Sequence, residues 1–197
     1  MTSRRDALKL AGLSAGAVAL SGGMASKANA YAHSNSVRHA GDSYPPGEPE
    51  KDYVPVITPN LETLPYKLVD GIKVFHLIAE ELEHEFTPGL TATCWGYNGS
   101  VHGPTIEAVE GDKVRVYVTN KLLAPTTVHW HGIILNSGMD GVGGLSQRAI
   151  KPGETFVYEW NFVQHGTFMY HSHHDEMTQM GMGLMGLVVV HPRKRIE

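Results

Sequence analysis

Between Lys113 and Asn120 the sequence reads KVRVYVTN, with Val114, Val116 and Val118 on one side of the alternation and Lys113, Arg115, Tyr117 and Thr119 on the other. A period of two is the signature of a strand with one buried face. The pattern recurs. "GIKVFHLIAEEL" sets Val74, His76 and Ile78 against Phe75, Leu77 and Ala79. "ETFVYEWNF" places Phe156, Tyr158, Trp160 and Phe162 on one face, and "GLMGLVVVHP" is an apolar run stopped by Pro192. Turn signals separate these runs, Gly111-Asp112 before the first and "KPGE" at Lys151 to Glu154 before the third. With 22 Gly and 11 Pro and no long helical period, the chain is expected to be all-β, a single β-sandwich of Greek-key type. No internal repeat is present.

The remaining composition narrows the function. Net charge is -4, so no basic excess argues for nucleic acid or an anionic membrane surface. Cys94 is the one cysteine, which excludes an intramolecular disulfide and any site that takes two thiolates from this chain. Histidine is abundant, with 12 against 5 Phe and 3 Trp.

Residues 1–30 read as an address. Arg4-Arg5 precede a mildly apolar stretch from Ala7 to Leu20, and Ala28-Asn29-Ala30 is a small-x-small cleavage pattern. This resembles a twin-arginine signal and implies a periplasmic protein. The apolar run falls short of the ~20 residues that span a bilayer, so no membrane span is expected in the mature chain. Residues 31–65, polar and without a period, are expected to be an extended arm or linker, and residues 66–197 the folded domain.

Four histidines stand in two pairs, His129 and His131 around Trp130, and His171 and His173 around Ser172. On a strand, residues i and i+2 share a face about 6.6 Å apart. Each pair therefore projects together, onto one metal or onto two neighbouring metals, and imidazole suits copper, zinc, iron or nickel. Two such strands side by side would present four imidazoles at one edge of the sandwich. The segment "HSHHDE" invites comparison with the HxHxDH of binuclear zinc hydrolases, but it has Glu176 where that motif has His, and the surroundings are strand-rich rather than α/β.

In this order and context, "CWGYNGSVHGPTIEAVEGDKVRVYVTNKL", "TTVHWHGI", "DGVGGLSQRAIKPGETFVYEWNF" and "GTFMYHSHHDEMTQMGMGLMGLVVVHP" resemble the N-terminal cupredoxin-like domain of a multicopper oxidase. The nearest likeness is to exported bacterial enzymes of laccase or copper-resistance type. The resemblance runs from about Lys73 to Pro192. His102 departs from it, standing where the family usually has proline.

The resemblance implies a copper cofactor in type 2 and type 3 sites, held by eight histidines of which this chain supplies four. By position His129 would ligate the type 2 copper, His131 and His171 would share one type 3 copper, and His173 would ligate the other. Asp140, in "MDGVGG", would assist proton delivery; a plain turn-forming Asp is the alternative. The family's HxxHxH and HCHxxxHxxxxM motifs have no match here, so the chain looks truncated or split, with its partner cupredoxin domains in cis or in trans. The complete enzyme would couple one-electron oxidation of an organic reductant or Cu(I) to reduction of dioxygen to water. A non-catalytic periplasmic copper-binding or copper-tolerance protein is the other reading. Met177, Met180, Met182 and Met185 suit Cu(I), but packing against the apolar run is favoured. Cys94 reads as a small buried residue, and the scattered His33, His39, His76, His84, His102, His165 and His191 as surface or satisfied histidines.

Overall fold

The alternating runs become strands with one face in a common core. A computed structural model describes residues 44–58 and 62–194. In chain order these hold β1 (Lys67–Val69), β2 (Ile72–Thr87), β3 (Leu90–Tyr97), β4 (Gly103–Val109), β5 (Lys113–Asn120), β6 (His129–His131), β7 (Thr155–Asn161), β8 (Gly166–His171), α1 (Glu176–Gly181) and β9 (Met185–His191). One sheet has the order β1-β2-β5-β7, with β3 pairing the far half of β2; the other is β4-β9-β8-β6. The β2–β5 and β4–β9 pairs are parallel, so the chain crosses between sheets to make them. This is the mostly antiparallel, Greek-key-like sandwich of cupredoxin-like domains.

The core lies between the sheets. Phe75, Leu77 and Ala79 of β2, Val114, Val116 and Val118 of β5, and Tyr158 and Trp160 of β7 face Ile106 and Ala108 of β4, Val188 and Val190 of β9, Tyr170 of β8 and Trp130 of β6. Each large apolar side chain so buried contributes about 1.5–3 kcal/mol relative to exposure.

The edge strand β4 is buried at every residue because the preceding chain covers it. Leu64 donates to the Thr105 carbonyl at 2.7 Å, and Thr105 donates to that of Glu62 at 2.7 Å. Beside it, Val56 N–H donates to Glu107 Oε1 at 2.8 Å, and His191 Nε2 lies 2.9 Å from Glu107 Oε2 and stacks on Tyr53. Asp112, fully buried, is the second tie. It accepts from the Gly47 and Val109 amides, each at 2.9 Å, and from Arg193 Nη2 at 3.0 Å. The buried Lys73 ammonium stands 2.8 Å from Asp112 Oδ2, off the direction of a hydrogen bond. The Tyr66 and Tyr53 ring faces, 4.7 and 5.5 Å away, supply the rest of its compensation. Residues 44–58 thus carry isolated bridges rather than strands, yet Tyr53 enters the buried set, as does Leu64.

Two elements differ from the reading of the sequence. The strand begun at Ile72 runs on to Thr87, and beyond Ala79 it pairs only with β3, forming a ribbon with Glu81, Glu83 and Glu85 along one face. The methionine segment, read as strand or loop, contains a helical turn and a half, too short for periodicity to reveal. His102 lies in the turn before β4, after a cis peptide. Among the described residues no helix is long and apolar enough to cross a membrane. The twin-arginine-like segment, His33 and His39 fall outside the described residues.

Candidate metal centre

Trp130 decides where the first pair of histidines points. Its ring is fully buried, packed on Trp160 at 4.6 Å, Tyr158 at 5.3 Å and Tyr170 at 6.1 Å between centroids. With Trp130 inward, strand alternation sends His129 and His131 to the opposite face. The β6–β8 register pairs Trp130 with Tyr170 and His129 with His171, so Tyr170 turns inward and His171 joins the other two. β8 ends at His171, and His173 stands beyond the ladder, not within a strand as the spacing suggested. Even so its ring lies 5.2 Å from that of His129 and 6.2 Å from that of His171.

One imidazole nitrogen from each of His129, His131 and His171 can be chosen so that the three lie within 4.8 Å of one another. His131 Nδ1 and His171 Nε2 are 3.2 Å apart. That spacing would let both nitrogens reach one metal at bonds of about 2.0 Å. The other ring atoms fix which nitrogen carries the lone pair. His171 Nδ1 is 2.8 Å from the Ser172 carbonyl and His129 Nδ1 is 2.6 Å from that of Asp140. A carbonyl only accepts, so both Nδ1 atoms donate, and in the neutral ring the lone pair that can ligate sits on Nε2. Burial lowers the His171 pKa below the ordinary histidine value. The Ser172 hydrogen bond opposes this, and the smaller effects of His129, Glu176 and His131 follow. His171 is thereby held neutral at neutral pH, the form that binds a metal.

Asp140 is brought to the site twice, by its carbonyl and by its carboxylate, whose Oδ1 is 3.4 Å from His129 Nδ1. It follows a 3-10 turn, Ser137–Met139, and precedes Gly141. Gly141 has φ of 78°, and a Cβ there would meet the Val128 carbonyl oxygen at 1.7 Å and His129 Cα at 2.9 Å. Only glycine lets the Asp140 loop approach β6 this closely. Glu176 lies on the other flank, 3.8 Å from His171 Nδ1 and 3.9 Å from His173 Nε2.

The remaining candidates lie elsewhere. His174 is outside the cluster, its Nδ1 beside the Gly143 backbone. Cys94 is buried on β3 opposite Leu82. His76 bonds Thr119, His84 meets Phe86 edge to face, and His165 faces Glu110. Met177 is 94% exposed, while Met180, Met182 and Met185 are half-buried. Gly141, Glu176 and Gln179, whose buried amide lies behind Ser172, are site residues that reading the sequence did not single out. The DG pair after a turn was the only signal for Gly141, and the motif-like "HSHHDE" for Glu176.

Residues 79–195 match the family model described as multicopper oxidase. Copper resistance protein A of Pseudomonas syringae pv. tomato is 46% identical over 94 residues, 48% of this chain and 15% of that protein. L-ascorbate oxidase of Nicotiana tabacum is 42% identical over 113 residues, 56% of this chain and 19% of that protein. Among solved structures, a multicopper oxidase from Campylobacter jejuni described as a metallo-oxidase superposes with a TM-score of 0.63 at 33% identity, covering 70% of this chain and 30% of that one. A multi-copper oxidase from Pseudomonas thermotolerans gives 0.61 at 41% identity, covering 63% and 30%. The matched region therefore spans a small part of the length of these relatives.

Proposed function

This chain belongs to the multicopper oxidase family, and on that premise we propose that it is a copper-binding domain that holds half of a trinuclear copper site. His129 would ligate the type 2 copper, His131 and His171 would share one type 3 copper, and His173 would serve the other. The observation that carries this reading is the 3.2 Å approach of His131 Nδ1 to His171 Nε2 across the β6–β8 pair, the spacing of two ligands of one metal. The donor set fits copper, since imidazole is a good ligand for it, and in His129 and His171 the second ring nitrogen is tied to a carbonyl.

Bound copper would supply one-electron acceptor sites and, in a complete enzyme, the place where dioxygen takes up four electrons and four protons to give two waters. The protein's own part is positional. The Ser172 and Asp140 carbonyls set the ring orientations of His171 and His129. The Asp140 carboxylate, partly open to solvent and 3.4 Å from His129 Nδ1, is the group proposed to hold and pass protons at the cluster. Electrons from phenols, other organic reductants or Cu(I) would arrive through copper ligands outside these four residues, contributed by further cupredoxin domains in cis or in trans. Export by the twin-arginine route to the periplasm completes the reading.

A second reading, a non-catalytic copper-binding protein of copper tolerance, draws on Cys94. The thiol lies on β3 with Leu82 opposite, and among the described residues it joins no group of His, Cys, Asp and Glu side chains that could hold a metal. Visible spectroscopy and oxidase assays on the copper-loaded chain test the half-site. The expected result is no intense band near ~600 nm, the mark of thiolate-bound copper, and negligible oxidation of phenolic substrates by the chain alone. A strong band there, or full turnover without added domains, contradicts it. Oxidase activity that appears only when the remaining domains are supplied favours the enzyme over the tolerance protein.

A further inference from the structure

His173 stands past the last rung of the β6–β8 ladder, so something other than strand pairing must hold it near His129. The residues behind it show what does. Gln179 is the buried residue of α1, 1% exposed, and its side chain points back under the histidine pair. Its Oε1 accepts from Thr126 Oγ1 at 2.7 Å and from Ser172 Oγ at 2.5 Å, and its Nε2 donates to the Pro125 carbonyl at 2.8 Å. The carbonyl has no proton to give, which fixes the orientation of the amide and makes both hydroxyls donors. Ser172, its one proton spent on Gln179, accepts from the His174 amide at 3.2 Å. The main chain closes the same unit, since Gln179 N–H donates to Asp175, Leu184 N–H to Gln179 and Ser172 N–H to Leu184.

One amide therefore ties three pieces together: the chain entering β6, the residue between His171 and His173, and the helix that follows. Thr126, Ser172 and Gln179 are all fully buried and mutually satisfied, so loosening one leaves the others without partners in a dry site. Resting on the copper-site reading above, we propose that Gln179 is the positioning residue of the centre: it fixes the end of β8 against the entry to β6 and so sets where His173 stands relative to His129.

The test uses the full chain as wild type, Gln179→Met, Ser172→Ala and Thr126→Val, with Val188→Ala in the distant core as a control for lost stability. Cu(II) affinity is measured by competition with a chelator, the ligand field by electron paramagnetic resonance, and the histidine rings of the metal-free chain by 15N NMR. Gln179→Met should weaken Cu(II) binding by roughly 10–100-fold, the range for groups that orient a metal ligand, and change the copper hyperfine pattern. Ser172→Ala and Thr126→Val should shift both in the same direction by less, and they carry the test if Gln179→Met does not fold. Val188→Ala should lower the thermal midpoint while keeping the wild-type affinity and spectrum. In the metal-free chain, the His173 ring resonances should move or broaden in Gln179→Met and not in Val188→Ala. Wild-type affinity, spectrum and ring resonances in the three network variants overturn the proposal, as does an equal loss of affinity in Val188→Ala. Absence of copper binding by the wild type sinks the copper-site reading instead, and the ring resonances then decide the role of Gln179 by themselves.

Discussion

His171 shows how much one residue's surroundings decide. It is almost fully buried, its Nδ1 is held by a carbonyl, and burial lowers its pKa. In the unfolded chain a histidine titrates near ~6.5. Between that value and its lower folded pKa the unfolded state binds more protons than the folded one. The contribution of His171 to stability is then fully present above about pH 6.5 and is lost as pH falls through the folded pKa. Urea unfolding of the metal-free chain from pH 7.5 to 5 should show stability declining on the acid side, with a shallower decline in His171→Gln. Equal slopes would remove His171 from the account. Gly141 is the second residue-scale case. Gly141→Ala puts a methyl into backbone atoms of Val128 and His129 at a positive φ, and should cost about 2–4 kcal/mol in denaturant unfolding and weaken copper binding by displacing the Asp140 carbonyl. A stable variant with wild-type copper affinity would contradict this. The common direction of His129 and His131 was legible because spacing on a strand fixes direction, whereas His173, past the end of β8, is placed by other contacts. Gly141 and Gln179 were not legible, because their roles come from approach in space between segments far apart in the chain.

At the scale of elements, β5, β7 and the first half of β2 were readable because each buries one face and exposes the other. The far half of β2 was not. "EELEHEF" alternates, but beyond Ala79 it pairs only with β3, so the residues carry no burial contrast strong enough to mark its end. The preceding arm hides its burial differently. Tyr53 and Leu64 enter the core from a segment without a period, held by polar ties to Glu107 and Asp112. Those ties make a prediction. Asp112→Ala leaves the Lys73 ammonium buried without its counter-charge, and should destabilise the chain by about 3–5 kcal/mol. Adding Lys73→Met should recover much of that loss. Denaturant midpoints of the single and double variants check it, and a double variant no better than Asp112→Ala would show that the pair is not the source of the cost.

For the whole molecule, the sandwich and the strand pair that carries the histidines followed from periodicity and motif order together. The solved multicopper oxidase structures that superpose on this chain agree with the sandwich. The placement of His173 outside β8 is a whole-molecule effect, since it depends on α1 and the β6 entry meeting behind it. The half-site is tested by copper stoichiometry, determined by metal analysis after dialysis, in the wild-type chain, in His131→Ala/His171→Ala and in His76→Ala. About one or two coppers per wild-type chain are expected, with waters completing the coordination, together with loss of most of that copper in the double variant and full retention in His76→Ala. Copper content unchanged by removing His131 and His171 would contradict it.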